Sequence, residues 1–300
     1  MKKYIIYQVD AFTDTKFKGN PASVVLNADG LTENQMQAIA RELNNSETAF
    51  LFHPDDNTHH GKIRYFTPTQ EVPICGHATI GAMYAKAIEE KLDPCTLNFK
   101  TQIGILPFEI DRSKAKVKIW MTQGNIKIDA PLSEVIKNNL LDYLGISSDD
   151  IDGRCPIQIA STGHSKVMIG ITSREALNNL NPDLFRLKEL SKIINCNGYF
   201  VFTLNSNSPD ILSYGRMFAP AIGINEDPVT GNANGPLGAY LVANELIDSD
   251  LDAFSFKAIQ GEAIGRDGVI EVQVSIKNQK PHLVKIAGEA VVVFKTHIEL

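Results

Sequence analysis

Glu71-Val-Pro-Ile-Cys-Gly-His-Ala-Thr79 lies between a short extended run and a run of small residues at helical spacing. It returns in altered form as Glu226-Asp-Pro-Val-Thr-Gly-Asn-Ala-Asn234. Upstream, Arg64-Tyr-Phe-Thr-Pro68 precedes the first copy and Arg216-Met-Phe-Ala-Pro220 the second. Seven positions pair identically and in order: Arg64 with Arg216, Phe66 with Phe218, Pro68 with Pro220, Glu71 with Glu226, Pro73 with Pro228, Gly76 with Gly231, and Ala78 with Ala233. Collinear copies half a chain apart predict a duplicated unit whose two halves face each other. In each copy the backbone passes a proline, reaches Gly76 or Gly231 and enters a helical run, with Ala78, Ala82 and Ala85 in one and Leu237, Leu241 and Leu246 in the other. Each glycine is therefore predicted at or just before a helix N-terminus, where unpaired N–H groups and the macrodipole favour an anion. Two such ends converging would suit a carboxylate or phosphate.

The 300 residues suffice for one large domain or two ordinary ones, and the repeat decides for two. The expected division is 1–124 and 125–284, with a last strand, 285–300, placed to cross back onto the first half and an active site in the cleft between them. With 43% hydrophobic and 21% charged residues, the composition is that of a globular chain with a substantial core. A net charge of -6 offers no basic footprint for nucleic acid or an anionic membrane, so a small-molecule partner is the expectation. Cys75, Cys95, Cys155 and Cys196 are scattered, without Cys-x-x-Cys or histidines at metal-ligand spacing, which predicts reduced thiols and no metal. The N-terminal Met1-Lys-Lys-Tyr-Ile-Ile-Tyr begins like a signal peptide, but Gln8 and Asp10 break the apolar run, and nothing later is long enough to span a bilayer. The reading is a cytoplasmic protein.

Within the first half, Tyr4–Val9 reads as a strand, and Gly19-Asn-Pro21 as either a hairpin connection or a binding loop. Thr32-Glu-Asn-Gln35 has the form of a capping box, followed by Met36, Ile39, Ala40 and Leu43 on one helical face. Ser46-Glu-Thr-Ala-Phe-Leu-Phe52 is a predicted apolar strand with Glu47 at its entrance. The second half repeats the order strand, turn, strand, helix, strand, motif, helix, with Ser161-Thr-Gly-His-Ser165 at the turn and a helix near 184–194. The position related to Glu47 falls near Gly198 and Tyr199, where no carboxylate stands.

Three side chains carry the candidate chemistry. A carboxylate entering an apolar strand is either an exposed edge residue or a working acid or base, because burial of such a group favours its protonated form. That is Glu47. His77, at a helix start, is suited to hydrogen bonding or proton relay, or else to capping and packing. Asp227 is either a functional carboxylate or a cap or Asx-turn residue. Two thiols at paired helix starts could epimerise a carbon acid from opposite faces, but here the pair is Cys75 and Thr230, and the hydroxyl has no evident helper. Cys75 reads most simply as a small buried residue.

Asp10-Ala-Phe-Thr, Gly19-Asn-Pro21, Ser46-Glu-Thr-Ala-Phe50, Phe66-Thr-Pro68, Cys75-Gly-His-Ala-Thr79 and Glu226-Asp-Pro-Val-Thr-Gly231 together resemble the PhzF family, the phenazine biosynthesis isomerase-like proteins, collinearly over nearly the whole chain. The resemblance implies an α/β (α+β) diaminopimelate-epimerase-like fold of two pseudo-symmetric halves, each a mixed sheet around a central helix. It further implies cofactor-independent catalysis and a homodimer. In the family's phenazine enzyme a glutamate of the Ser-Glu-Thr motif shuttles a proton between carbons of trans-2,3-dihydro-3-hydroxyanthranilate. That role would fall on Glu47, with His77 and Asp227 holding the substrate's polar groups and Gly76, Gly231, Asn232 and Asn20 as substrate-binding candidates. The family usually has Thr-Gly-Ser-Ala where this chain has Thr230-Gly-Asn-Ala233, so Asn232 alters the pocket. The expected function is isomerisation of a small carboxylate-bearing substrate. The alternatives are an amino-acid epimerase using Cys75 and a non-catalytic small-acid binding protein.

Overall fold

In a computed structural model, which describes residues 1–112, 116–206, 208–247 and 252–300, the chain divides into two units. Unit 1 is Met1–Thr122 with Ala287–Leu300, and unit 2 is Gln123–Ile286.

Unit 1 begins with β1 (Lys3–Ala11) and β2 (Asn20–Val25), an antiparallel pair in which Ile6 faces Val25 and Ala11 faces Asn20. The predicted capping box forms at the start of α1 (Glu33–Leu43): Gln35 N donates to Thr32 Oγ1 while Gln35 Oε1 accepts from Thr32 N at 2.9 Å. The helix buries Met36, Ile39 and Ala40 and ends on Asn44 in a left-handed conformation, φ 53°. Next, β3 (Thr48–Phe52) runs parallel to β2 and pairs antiparallel with β4 (Gly61–Phe66), which is followed by the two-residue β5 (Glu71–Val72) alongside it. Immediately after comes α2 (Gly76–Glu89), buried nearly all round and packed on β1, β2 and β3. Its small residues permit that burial: a Cβ on Gly81 would already touch Val9 at 3.5 Å. The strands β6 (Cys95–Thr101), β7 (Gly104–Asp111) and β8 (Lys118–Thr122) complete the unit as a meander whose first strand lies parallel to β4.

Unit 2 adds β9 (Lys127–Pro131) and α3 (Glu134–Leu144), closed by Gly145 at φ 69°, and then repeats unit 1. Its elements are β10 (Gln158–Ser161), β11 (Ser165–Gly170), α4 (Arg174–Asn178), α5 (Leu184–Ile194), β12 (Tyr199–Thr203), β13 (Ser213–Ala219), β14 (Ile224–Asp227), α6 (Gly231–Ala243), β15 (Ala253–Gln260) and β16 (Gly268–Lys277). The pairing sequence from β10 to β16 is antiparallel, parallel, antiparallel, antiparallel, parallel, antiparallel. That is the sequence from β1 to β7, step by step. Helix α6 packs on β9, β10, β11 and β16 as α2 does on its own strands. It ends at Ala243, so Leu246, expected on its apolar run, lies past the helix and bonds back to Leu241 O at 2.9 Å. The last strand, β17 (Lys280–Glu299), belongs to unit 2 through Ile286 and to unit 1 from Ala287, where it pairs antiparallel with β1.

The repeated arginine and glutamate are the chemistry behind the repeated turn. Arg64 holds Glu71 through Nε and Nη2, both at 2.6 Å, and Arg216 holds Glu226 at 2.9 and 2.7 Å. Each pair ties the strand before the turn to the strand after it, and so fixes where the helix starts. They differ in burial: the Arg64 side chain is 32% exposed and Arg216 8%. Arg216 also donates to the carbonyls of Leu177, Asn178 and Leu180. Removing one partner of a buried pair costs roughly 3–5 kcal/mol, whereas a partly exposed pair contributes about 1 kcal/mol or less. We therefore expect Glu226→Gln to lower the urea midpoint far more than Glu71→Gln. Equal losses in the two variants would contradict this assignment.

Candidate active site

Glu47 stands one residue before β3, where its carbonyl accepts from Ser23 N at 3.4 Å. The strand's entry into the core leaves the side chain 15% exposed. His77 is the second residue of α2 and is buried. Its Nε2 lies 3.3 Å from Glu47 Oε2 and 3.1 Å from Ser46 Oγ, and its Nδ1 is 3.5 Å from Cys75 Sγ. The Glu47 contact is within ion-pair range but is not aligned as a hydrogen bond, and Oε2 is buried without one. The arrangement is a carboxylate oxygen with accepting capacity to spare, beside an imidazole held on both edges. Such a pair can accept a proton and be kept in orientation while it does. Gly76 is the first residue of α2, and the Cys75 side chain makes no capping bond to the helix. Asn20 is buried at the first residue of β2.

In unit 2, Asp227 ends β14 and is 7% exposed. Of the expected alternatives, a cap or an Asx-turn residue, the cap does not hold, because the N-cap position of α6 belongs to Thr230. Nor is Thr230 without a helper. Its hydroxyl donates to Asp227 Oδ2 and accepts from Gln260 Nε2 at 3.0 Å. Gln260 organises the cluster, since Nε2 also donates to Asp227 O at 2.7 Å while Oε1 accepts from Thr230 N at 3.1 Å and from Asn234 Nδ2 at 2.9 Å. Asn234 Nδ2 further reaches Thr230 O at 3.1 Å, as Thr79 Oγ1 reaches Cys75 O at 2.6 Å in unit 1. Gly231 opens α6, and Asn232 departs from helical geometry at φ -76°, ψ 15°. The cause lies four residues on. Pro236 has no N–H for the Asn232 carbonyl and crowds it, so the first turn kinks.

Sequence reading brought out Glu47, His77 and Asp227 but missed Ser46, Thr230 as a partner of Asp227, and Gln260. Ser46 lies within the Ser-Glu-Thr motif and so had a signal. Gln260 had none, being a lone glutamine at the end of a distant strand. Metal-ligand spacing flagged neither Glu47 beside Cys75 and His77, which come from separate segments, nor the local run Asp55, Asp56 and His59. Oxygen, sulfur and nitrogen donors of Glu47, Cys75 and His77 lie within 4.8 Å of one another, as do those of Asp55, Asp56 and His59. Either group could hold a cation, although Asp55 is already paired with Lys62 and Lys100.

The phenazine biosynthesis-like protein family, PhzC-PhzF, matches residues 9–296. An uncharacterized isomerase of Clostridium acetobutylicum is 57% identical over 300 residues, covering 100% of this chain and 99% of the relative. The trans-2,3-dihydro-3-hydroxyanthranilate isomerase of Pseudomonas chlororaphis is 34% identical over 292 residues, 97% of each chain. Among solved structures, the Bacillus anthracis phenazine biosynthesis protein of the PhzF family superposes with a TM-score of 0.89 at 31% identity, over 100% of both chains.

The unit 2 cluster makes a stability prediction of its own. Thr230→Val removes the hydroxyl from between two buried partners, which should cost about 1–3 kcal/mol, whereas Thr230→Ser keeps both bonds and should unfold near the wild-type temperature. Calorimetric melts of the two variants compare them directly, and a valine variant as stable as the serine variant would count against the network.

Proposed function

The chain belongs to the phenazine biosynthesis-like (PhzC-PhzF) family and is an isomerase, and from that premise we propose that it moves a proton between carbons of a small carboxylate-bearing substrate, with Glu47 as the proton carrier. One observation carries the reading: Glu47 Oε2, buried and without an aligned hydrogen bond, lies 3.3 Å from His77 Nε2. The carboxylate takes a proton from an acidic carbon and becomes a carboxylic acid. The electron pair of that C–H bond forms a new C=C bond, the existing double bond shifts, and Glu47 returns the proton at the far end of the conjugated system. Atoms and electrons balance with no oxidant or second substrate.

In this reading His77 orients Glu47 and holds a polar group of the substrate, and Asp227 holds another. The first-turn N–H groups of Gly76, Gly231 and Asn232, with Asn20, receive charge that develops on the substrate. The ring-bearing substrate of the Pseudomonas chlororaphis relative is the first compound to test, and the amide of Asn232 in place of a serine hydroxyl favours a differently shaped one. We assign the protein to the cytoplasm on its scattered cysteines and the apolar run broken at Gln8 and Asp10, and to a homodimer on the family resemblance; no described helix is long and apolar enough to cross a membrane.

The test is deuterium incorporation from D2O into trans-2,3-dihydro-3-hydroxyanthranilate and a panel of cyclic and amino-acid carboxylates, read by NMR and mass spectrometry. Wild-type protein should label at least one of them, and Glu47→Gln should slow labelling by a factor of about 10² or more. Unimpaired labelling by Glu47→Gln would overturn the assignment. Were labelling then lost in Cys75→Ser, the thiol 3.5 Å from His77 Nδ1 would be the base.

A further inference from the structure

Unit 2 has no glutamate where unit 1 has Glu47, and the structure locates what stands there instead. The equivalence is fixed by hydrogen bonding. Ser23 N donates to Glu47 O, and Val167 N donates to Gly198 O at 2.8 Å. The residues that follow, Thr48 and Tyr199, face Phe66 and Phe218 on the next strand, and those two phenylalanines are partners in the repeat. Gly198 is therefore the counterpart of Glu47.

The space over Gly198 is filled by Lys166 of β11. A Cβ on Gly198 would lie 2.3 Å from Lys166 Cδ, 2.8 Å from Cε and 3.4 Å from Nζ. Lys166 is 7% exposed. Its Nζ donates to Ser165 O at 3.1 Å, and among the described residues that is the hydrogen bond it makes. An ammonium carries three N–H donors. A buried cation with donors to spare and no carboxylate in ion-pair contact among the described residues is costly to keep, and a hydrophobic side chain of similar size would pack there at lower cost. Burial accordingly holds the amine below the usual lysine range, opposed by the nearby Cys196 and Asp227.

We propose that Lys166 is a carboxylate-recognising amine of unit 2, its spare donors receiving an anionic group at the position that the repeat makes equivalent to Glu47 of unit 1. The duplicated fold has thus put opposite chemistry at one position, a proton carrier in one unit and an anion receptor in the other. The ammonium also offsets Asp227, which alone would repel an anion. This assignment rests on the reading that the substrate bears a carboxylate.

Calorimetric titration tests it with matched probes: anthranilate, benzoate, cyclohexanecarboxylate and proline, each beside its carboxamide. For at least one pair, wild-type protein should bind the carboxylate ten-fold or more tightly over the amide. In Lys166→Met that ratio should fall to near one, with amide binding retained. Gly198→Ala keeps the lysine but pushes its end aside, and should reduce the same ratio without removing a charge. The pH dependence supplies a readout that packing alone would not move. The groups facing Lys166 are Asp227 at the end of β14, Cys196 before β12 and His164 before β11, and Asp129 of β9 acts on Cys196. Carboxylate affinity should fall as pH rises through the lowered titration of Lys166, and should be flat over that range in Lys166→Met. A ratio preserved in both variants, or no carboxylate preferred by the wild type, would overturn the proposal and leave Lys166 as packing. If Glu47→Gln stops deuterium labelling while Lys166→Met keeps its ratio, this inference falls and the Glu47 reading stands; the reverse pattern separates them the other way.

Discussion

The arginine–glutamate pair, used twice, is the constraint on which the candidate cluster of each unit depends. A bidentate guanidinium–carboxylate contact has fixed geometry. Because Arg64 lies on β4 and Glu71 on β5, it dictates how the chain leaves the sheet and so where α2 begins. Arg216 and Glu226 do the same for α6, in a drier setting and with three carbonyls added. With the helix starts fixed, His77 is held against Glu47 in one unit and Thr230 against Asp227 in the other. The candidate side chains of each unit are thus placed by an ion pair between neighbouring strands.

What could be read from the sequence was whatever local patterns or repetition encode. The Thr32 capping box, the apolar face of α1, the extent of α5 and the two glycines at helix starts all follow from spacing within a few residues, and the structure has them. The limits were equally physical. Leu246 continues the apolar pattern of α6, but the helix has ended by Ala243, since helical spacing does not register where a turn closes. Pro236 lies inside α6, and its effect falls on Asn232, a full turn earlier. The hydroxyl of Thr230 seemed unaided because its partners are an aspartate in the preceding turn and a glutamine thirty residues on. Side-chain networks between distant strands leave no periodicity to detect.

The duplicated frame also shows what divergence can change and what it must leave. The strand pairings, the ion pair and the bond from the fourth helical residue to the N-cap carbonyl persist in both units, since each is needed to build the fold. Two positions beside the repeated elements do not persist. Glu47 corresponds to Gly198 under Lys166, and Val72 to Asp227, each of the latter pair following the ion-paired glutamate. A scaffold of two like units allows acid, base and anion-binding groups to be assigned separately, without altering the backbone that carries them.

The shared last strand gives the protein an unusual order of assembly. The first strand of unit 1 pairs with the end of β17, Lys3 opposite Glu299, so nearly the whole chain separates the two partners. Unit 2 is continuous from Gln123 to Ile286. On the ribosome, unit 2 therefore emerges with all of its strands while unit 1, although made first, still has an open edge along β1. Such an edge invites wrong pairing. The portion of the chain synthesised earliest is the last to close.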